Sequence, residues 1–417
     1  MEIKTVKGFK DILGEEATLF EEIENKAKSV AQSFGYQPII LPTVEQSELF
    51  DRSIGNTTDI VEKEMFTFED KGGRILALRP EMTASVARSF IEHHLETSAL
   101  PLKIYYFGQC FRYENPQKGR YREFYQFGIE AIGDISPVLD VEVIQVAFEI
   151  LRHLGIKDLK VKLNSIGCRT CRPNYKNLLI EALKIHYDEL CNDCKKRLYK
   201  NPLRILDCKK ESQELKKSLP KMVDYLCTDC RTHFEKVKTI LTQLGIPFEC
   251  DPNLVRGLDY YSKTVFEVVS LELGAQNALL GGGRYDYLIE DLGGRSTPGV
   301  GFAMGIERLI EVLKKRNYTV NKLPKVYIVY DQQFITFANE IREIISKEYV
   351  VELDPKGDNI KKGVERASKR GALLVFIIGE NEANNNAITI KNMKSGKQIT
   401  VKREEMLKSA KELIEDD

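Results

Sequence analysis

The sequence predicts an α+β protein: an antiparallel sheet flanked by helices, a helical insertion, and a small α/β domain at the carboxyl end. Two alternating runs joined by the short loop Asn115–Tyr121 predict an antiparallel hairpin. Between Ile166 and Leu244 the alternation gives way to a Cys-, Lys- and Leu-rich pattern with helical spacing. Beyond Pro324, strand-like and helix-like segments alternate, which is typical of an α/β domain. The predicted divisions are residues 1–165 and 245–322 for the two parts of the core, 166–244 for the insertion and 323–417 for the last domain.

Composition narrows the classes of function. The 417 residues are enough for two or three domains. Lys plus Arg equals Asp plus Glu at 62 each, so a nucleic-acid partner would have to be bound by local basic patches. No apolar run approaches the length of a membrane helix, and residues 1–10 do not resemble a signal or transit peptide, so we expect a cytoplasmic protein with no membrane partner. Nine cysteines in such a protein indicate thiols or metal ligands rather than disulfides.

Local patterns predict the individual elements. Apolar residues recur at helical spacing between Gly14 and Phe34, which predicts a first helix. The segment "FGYQPIILPTVE" predicts a turn and a short strand stopped by Pro42. Further strands are predicted at 74–78 and 103–111, and in the last domain helices at 334–347 and 360–369 alternate with the strand runs "YVVEL" and "ALLVFIIG".

The second strand of the hairpin has an unusual polar face. With a period of two, Phe124, Gln126, Gly128 and Glu130 lie on one side of that strand. The missing side chain of Gly128 predicts a hole between an amide and a carboxylate, suited to a small polar ligand, with Phe124 as a surface on which a base can stack. An amphipathic hairpin whose charged face is simply solvated explains the same pattern equally well.

Arginines and tyrosines near this face extend the candidate site. Arg112 and Arg120 border the hairpin loop and are suited to binding phosphate oxygens. The later stretch "LVRGLDYYSKTVFEVV" adds Arg256 and the adjacent tyrosines Tyr260 and Tyr261, which are able to line a pocket wall.

Two glycine-rich runs follow. The run "LLGGGRYDYLI" lets the backbone approach a ligand closely, but it lacks the Lys-Ser/Thr ending of a phosphate-binding loop. In "GVGFAMGIERLIEVL" a helix is predicted to begin near Ile306, which places Arg308 in its first turn. An ordinary strand–turn–helix contains such glycines too, so this run alone does not indicate a site.

Together these segments resemble the histidyl-tRNA synthetases, a family of class II aminoacyl-tRNA synthetases. "FGYQPIILPTVE", "FRYENPQKGRYREFYQF" and "GVGFAMGIERL" resemble the three motifs of the class, and "LRPEMTASVAR" and "RGLDYYSKTVFEV" resemble stretches specific to the histidine enzymes. The resemblance covers nearly the whole chain and implies a class II synthetase catalytic core, a C-terminal anticodon-binding domain and a homodimer. Met82 and Tyr125 depart from the residues commoner in the family, Gly and His.

The resemblance also implies an activity and roles for residues. The activity is histidine–tRNA ligation: L-histidine and ATP, with Mg²⁺, give histidyl-adenylate, and histidine passes to tRNA(His). Arg256 and Arg112 would act in catalysis, with Arg256 near the α-phosphate in place of an extra metal ion, so no metal ligand is implied. The residues implied to bind histidine are Glu81, Met82, Thr83, Gln126, Glu130, Tyr260, Tyr261 and Tyr285. Those implied to bind ATP are Arg112, Glu114, Arg120, Phe124 and Arg308.

Two basic segments are candidates for contact with tRNA. In the family, the loop that here contains Lys118 and Arg120 meets the acceptor end of the tRNA. The run "PKGDNIKKGVERASKRGALL" predicts a phosphate-contacting face in the last domain, although a solvated helix is an equally simple explanation. The basic residues of that face are Lys356, Lys361, Lys362, Arg366, Lys369 and Arg370.

The cysteine spacing in the insertion leaves two possibilities open. The pairs Cys168/Cys171 and Cys191/Cys194 are spaced like a four-thiolate zinc site, and Cys227/Cys230 adds a third pair. The family does not require a structural metal, so free thiols explain these residues as well. Cys110 and Cys250 are expected in the core.

Two other functions are compatible with parts of the sequence. One is that of the catalytically silent relative that serves as regulatory subunit of ATP phosphoribosyltransferase, which usually lacks the C-terminal domain and the ATP-binding arginines. The other is an RNA-sensing module that binds uncharged tRNA without aminoacylating it. Arg112, Arg256 and Arg308 are all present, which argues against the first, and Glu81 and Glu130 argue against the second.

Overall fold

The computed structural model describes residues 3–55, 58, 60–116, 119–270, 278–320 and 323–415. The chain divides into two compact units, Met1–Tyr318 and Thr319–Asp417. Lys118 of the predicted tRNA-contacting loop lies outside the described residues. No helix within the described ranges is both long and apolar enough to cross a membrane.

The first unit contains eleven α-helices and eleven strands among its described residues. The strands are β1 (Gln37–Pro38), β2 (Val44–Gln46), β3 (Phe66–Glu69), β4 (Ile75–Leu78), β5 (Leu102–Phe111), β6 (Glu123–Ile132), β7 (Leu159–Ser165), β8 (Phe248–Cys250), β9 (Ser262–Ser270), β10 (Ala278–Arg284) and β11 (Gly299–Gly305). The helices are α1 (Gly14–Ser33), α2 (Ser47–Ile54), α3 (Thr83–Glu92), α4 (Pro137–His153), α5 (Arg172–Ile185), α6 (Asn192–Lys200), α7 (Leu203–Leu206), α8 (Gln213–Ser218), α9 (Thr228–Gln243), α10 (Leu288–Asp291) and α11 (Ile306–Lys315).

An eight-stranded sheet forms the centre of this unit, in the order β1-β5-β6-β11-β10-β9-β7-β8. Its inner pairs are antiparallel, and only the short edge strands β1 and β8 pair in parallel. Helices α1, α4, α9 and α11 pack against the sheet or against one another. The predicted α+β class, with an antiparallel sheet flanked by helices, is therefore confirmed.

Several local predictions are confirmed as well. Helix α1 ends one residue before Phe34, and α11 begins at Ile306 with Arg308 in its first turn. Strands β5 and β6 form the predicted antiparallel hairpin, with Gly108 opposite Gln126. In α1, the apolar residues Leu19, Phe20, Ile23, Ala27, Val30 and Ala31 are all buried, which explains their helical spacing.

Two predictions were wrong in detail. The strand expected to end at Pro42 is shorter: β1 covers Gln37–Pro38, and Ile39 adds one further hydrogen bond to β5 through the Tyr105 carbonyl. The carbonyls of Leu41 and Pro42 accept hydrogen bonds from the Arg79 guanidinium instead. Cys250 is exposed rather than part of the core, because it ends the edge strand β8. Cys110 is buried, as expected.

The second unit is a smaller α/β domain. Its five-stranded sheet has the order β13-β12-β14-β15-β16, parallel among the first three strands and antiparallel among the last three. The strands are β12 (Lys325–Tyr330), β13 (Val350–Leu353), β14 (Leu374–Ile378), β15 (Ala387–Asn392) and β16 (Gln398–Lys402). The helices are α12 (Ile335–Ile345), α13 (Ile360–Lys369), α14 (Glu380–Asn384) and α15 (Met406–Glu415).

Candidate active site

Glycines on the central strands let long polar side chains lie across the sheet. A Cβ atom added to Gly301 of β11 would be 1.8 Å from Oε2 of Glu130, and one added to Gly281 of β10 would be 2.4 Å from the guanidinium carbon of Arg256. Both contacts are far shorter than non-bonded atoms tolerate. These glycines are therefore required for Glu130 and Arg256 to occupy their places.

Gly128 does not leave a hole, contrary to the sequence interpretation. A Cβ atom there would be 2.4 Å from the hydroxyl of Tyr106, which lies opposite Gly128 on β5. The ring of Tyr106 fills the space, and its hydroxyl donates a hydrogen bond to Oε1 of Glu130 over 3.1 Å. Gly128 thus serves to place a third hydroxyl on Glu130.

Glu130 is buried and surrounded by neutral donors. Besides Tyr106, the Thr83 hydroxyl donates to Oε1 over 2.8 Å and the Tyr285 hydroxyl donates to Oε2 over 2.7 Å. Burial raises the pKa of Glu130 to about 8, with the nearby charge of Glu81 adding to the rise and the hydroxyls opposing it. Within the described ranges none of the hydrogen-bond partners of Glu130 is a cation, so this carboxylate is not neutralised by the residues that donate to it.

Glu81 is the second buried carboxylate of the site. Its oxygens accept hydrogen bonds from the backbone N–H groups of Thr83 and Ala84, over 2.7 and 2.8 Å, at the start of α3. The Tyr260 hydroxyl lies 3.5 Å from Oε2. Burial raises the pKa of Glu81, and the two backbone donors oppose this rise. The helix N-terminus thus fixes the direction in which this carboxylate faces.

These groups enclose a pocket of about 140 Å³. Three tyrosines form part of its wall: the rings of Tyr260 and Tyr261 are 4.7 Å apart, and that of Tyr285 is 6.0 Å from Tyr260. The lining residues are Glu81, Thr83, Arg112, Gln126, Glu130, Arg256, Leu258, Tyr260, Tyr261, Gly281, Tyr285, Gly301, Phe302 and Ala303. Met82 is not among them; it is buried in the core immediately before α3.

Two arginines, Arg112 and Arg256, line the small pocket. Arg112 donates through Nε to the Pro80 carbonyl over 2.9 Å, and its guanidinium lies 5.2 Å from the ring centre of Phe124. Arg256 is ion-paired with Glu267 of β9, while its Nε is buried without a hydrogen-bond partner among the described residues. The site therefore holds one buried guanidinium with an unused donor.

A second, larger cavity of about 560 Å³ lies next to Arg256, because Glu267 forms part of its lining. Arg120 and Arg308 also line it, and the charge of Arg120 together with burial lowers the pKa of Arg308. Glu114 does not line this cavity but is ion-paired with Arg120 over 3.2 Å. Three lysines complete the cationic lining: Lys162, Lys209 and Lys216.

The two cavities suit two different ligands. A pocket of tyrosines and two carboxylates favours a small molecule that carries N–H groups or a positive charge. A cavity lined by arginines and lysines favours a polyanion such as a nucleotide phosphate chain. Arg256 and Glu267 lie where the two meet, so the geometry brings a small polar ligand next to a phosphate group.

Comparison with known proteins gives the family. A family model described as "Histidyl-tRNA synthetase" matches residues 8–309, and one described as "Anticodon binding domain" matches residues 320–413. The histidine–tRNA ligase of Halothermothrix orenii is 46% identical over 419 residues, covering 99% of this chain and 100% of that protein. The one from Aquifex aeolicus is 46% identical over 408 residues, covering 97% and 100%. The chain belongs to the histidyl-tRNA synthetase family.

A solved structure of the family agrees in fold. The apo histidyl-tRNA synthetase of S. aureus has a TM-score of 0.80 and 35% identity, covering 98% of this chain and 99% of that one. The match of the second unit to an anticodon-binding domain and the presence of Arg112, Arg256 and Arg308 do not favour the regulatory paralogue of the histidyl-tRNA synthetases.

Two residues of this histidyl-tRNA synthetase site were not found from the sequence. Tyr106 was detectable, because the same period of two that groups Gly108 and Cys110 also includes it, and it faces a glycine on β6. Glu267 is the cross-strand neighbour of Gly281, so it can be identified only once the register between β9 and β10 is known. Long-range register is the information that the sequence pattern lacks.

Proposed function

We propose that this member of the histidyl-tRNA synthetase family activates L-histidine with ATP and transfers it to the 3′ end of tRNA(His). The observation that carries the proposal is the environment of Glu130. Among the described residues this enclosed carboxylate accepts hydrogen bonds from three hydroxyls and from no cation, in a pocket of amino-acid size that Arg112 and Arg256 also line. The imidazole N–H of a bound histidine supplies Glu130 with the further hydrogen-bond donor that the protein does not provide. An amino acid without such a donor leaves the carboxylate without a partner. Polar selection of this kind discriminates against such an amino acid by roughly 10⁴–10⁵-fold.

The remaining pocket residues take complementary roles. Glu81 and the hydroxyl of Thr83, with Gln126 beside them, bind the α-ammonium of histidine. Tyr260, Tyr261 and Tyr285 enclose the ring. Met82, which is buried beside the pocket, supports the start of α3 rather than touching the substrate.

ATP occupies the side of the site that is rich in arginine. Arg112 binds the α-phosphate, and Phe124 stacks on adenine while Glu114 binds the adenine edge. Arg308 and Arg120 bind the terminal phosphates in the larger cavity. Three carboxylates line the same cavity and would hold Mg²⁺ through the oxygen ligands that this ion prefers: Asp207, Asp251 and Glu267. The ion would neutralise negative charge on the pyrophosphate.

Catalysis then needs positioning and charge stabilisation more than proton transfer. The histidine carboxylate is ionised and attacks the α-phosphorus, and pyrophosphate leaves. Negative charge grows on the α-phosphoryl oxygens, next to Arg256, whose Nε–H is still unpaired within the described residues. A terminal ribose hydroxyl of tRNA(His) subsequently attacks the adenylate carbonyl, and AMP is released.

The proposal also includes the subunit assembly and the surfaces that bind tRNA. The protein works in the cytoplasm as a homodimer, with the motif that contains Pro42 at the two-fold axis. Arg120, at the hairpin loop, contacts the acceptor end. In the second unit Arg366 binds the carboxylates of Asp354 and Asp358, so the phosphate-contacting face consists of the exposed cations Lys356, Lys361, Lys362, Lys369 and Arg370.

A histidine-dependent ATP–pyrophosphate exchange assay tests the proposal. Exchange is expected with histidine and not with glutamine or phenylalanine, which are controls of similar size without the imidazole N–H. Absence of exchange, with tRNA binding retained, would indicate an RNA-sensing or regulatory protein instead.

A further inference from the structure

The insertion gathers its cysteines into two separate clusters. Cys168, Cys171, Cys227 and Cys230 form the first cluster, in which every sulfur lies within 4.8 Å of every other. Cys168/Cys171 thus meets Cys227/Cys230, a pair that is distant in sequence, and not the neighbouring pair Cys191/Cys194 that the spacing had suggested. The second cluster consists of Cys191, Cys194, Cys208 and Glu211, with the same limit on its ligand atoms.

The separations in the first cluster fit one tetrahedral ion. The Sγ–Sγ distances are 3.6 Å for Cys168–Cys171, 3.8 Å for Cys168–Cys227 and 3.9 Å for Cys171–Cys230. Zn–S bonds of about 2.3 Å place tetrahedral sulfurs about 3.8 Å apart. A disulfide holds its sulfurs at about 2.0 Å, and a four-iron cluster binds each cysteine through a different iron and needs them much farther apart.

The local backbone is arranged as thiolate ligands require. Cys171, Cys191 and Cys227 each stand immediately before a helix (α5, α6 and α9), where the helix dipole favours negative charge. Backbone N–H groups of Cys168 and Thr170 donate to the sulfurs of Cys171 and Cys168, over 3.2 and 3.4 Å. Such second contacts orient metal ligands.

The second cluster repeats the arrangement with one oxygen ligand. Cys191 and Cys194 are separated by two residues, as are Cys208 and Glu211, so the carboxylate replaces the fourth thiol. The sulfurs of Cys191 and Cys208 are 3.9 Å apart, and the N–H of Cys191 donates to the buried carboxylate of Glu211 over 3.0 Å. Three sulfurs and one oxygen are a ligand set that zinc accepts.

We propose that the insertion binds two structural zinc ions, one in each cluster. Helices α7 and α8, between Cys194 and Cys227, have only four and six residues and are too short to be stable alone. Two metal ions that tie positions up to 62 residues apart, from Cys168 to Cys230, restrict the unfolded chain and so stabilise this region.

The zinc ions also secure one wall of the candidate active site. Arg172, next to Cys171, donates to the carbonyl of Tyr261. Asn201, directly after α6, donates to the carboxylate of Asp259 over 2.8 Å. Both bonds attach the metal-bound helices to the segment that runs from Arg256 to Tyr261.

Metal analysis of the full-length protein is the first test. The protein is purified without a histidine tag, in reducing buffer, and its metals are measured by mass spectrometry. About two zinc ions per chain are expected, and a chelator strong enough to remove them should lower the melting temperature. Less than about half an ion per chain after dialysis against zinc would overturn the proposal, as would iron in place of zinc.

Variants assign the ions to the clusters. Cys227→Ser and Cys208→Ser should each retain about one zinc, from the second and the first cluster respectively. Cys250→Ser is the matched control, because this cysteine is exposed and outside both clusters, and it should retain two. Equal loss in Cys250→Ser, or two zinc ions in Cys208→Ser, would contradict the assignment. If either cluster variant fails to fold, the wild-type metal content still decides.

Cobalt substitution distinguishes the two ligand sets. The sulfur-to-cobalt absorbance per bound ion should be stronger in Cys208→Ser, which keeps four thiolates, than in Cys227→Ser, which keeps three. Glu211→Cys should retain two ions and raise that absorbance. An unchanged absorbance in Glu211→Cys would remove residue 211 from the ligand set and overturn the second site.

Discussion

Two of the buried carboxylates in the first unit, Asp140 and Glu130, have opposite surroundings. Asp140 of α4 is ion-paired with Arg284 of β10, and its other oxygen is 2.9 Å from Nε2 of His233 on α9. Burial would raise the pKa of Asp140, but the charge of Arg284 and the hydrogen bond from His233 outweigh it, and the pKa is lowered. The charge of Asp140 is therefore compensated within the protein, and its contacts join α4, β10 and α9.

In the part of the chain that the structure describes, no cationic side chain forms a hydrogen bond with Glu130. Its three donors are the neutral hydroxyls of Thr83, Tyr106 and Tyr285, and burial holds its pKa at about 8. The comparison teaches that burial alone does not distinguish a structural carboxylate from a functional one. The absent cation does, because a carboxylate left without compensation is stabilised when a ligand brings an N–H or a positive charge.

The largest expected effect is a loss of folding stability when Asp140 is replaced. Asp140→Asn preserves shape but leaves buried Arg284 with Asp286 alone as its counter-charge. Loss of one partner of a buried pair costs up to about 3–5 kcal/mol. Urea unfolding should show that loss of stability. The matched variant Glu130→Gln, also isosteric, should lose far less at pH 8. Equal losses would mean that the two carboxylates do not differ in kind.

Arg256 tests the catalytic side of the pocket. Its guanidinium acts on charge that grows during attack, so Arg256→Ala should lower the rate of adenylate formation by about 10²–10³. Dissociation constants for histidine and ATP should change less, as should transfer from preformed adenylate to tRNA. Rapid-quench measurements separate the two steps. A normal rate of adenylate formation would show that Arg256 only pairs with Glu267.

The pH dependence of stability should differ between wild type and Glu130→Gln. A carboxyl whose pKa is raised on folding stabilises the protein below its unfolded pKa of about 4.5, and this contribution is lost as pH rises through about 8. Between pH 6 and 8 wild type should lose roughly 1.4 kcal/mol per pH unit from this group. Glu307 and Glu81 act in the same direction in both proteins, so the difference between the two unfolding curves isolates Glu130. Parallel curves would contradict the raised pKa.

Glu130→Gln should also weaken histidine recognition. The hydrogen bond from imidazole to a charged acceptor contributes about 1.5 kcal/mol or more, so the KM for histidine should rise at least about tenfold while the KM for ATP changes little. Steady-state exchange kinetics measure both constants. If neither constant moved, another residue would have to read the imidazole.

Sequence periodicity predicted which residues face the site, but not how they fill it. The period of two placed Gln126 and Glu130 on one face of β6, and the pocket contains both. It could not show that Tyr106 from the neighbouring strand occupies the space above Gly128, because that depends on register and on side-chain direction.

The cysteine pairs show the same limit of prediction from sequence, over a longer separation along the chain. Spacing identified each pair as a possible half-site, since two residues between ligands is a local requirement. Which halves meet is decided by the fold, which brings the residues just before α5 next to those at the start of α9. Cys168 therefore lies near Cys227 in one cluster, while Cys194 belongs to the other. Local chemistry could be read from the sequence, whereas pairing required the fold.

The proposal that Glu130 binds the imidazole of histidine is tested most directly by the protonation state of Glu130 with and without histidine. Difference infrared spectroscopy at pH 7 detects the carbonyl band of a protonated carboxyl group, and Glu130→Gln assigns the band to this residue. Wild type should show the band without ligand and lose it when histidine binds, because the imidazole N–H then compensates the charge of the carboxylate. A band that persists with histidine bound, or that is equally present in Glu130→Gln, would contradict the role given to Glu130.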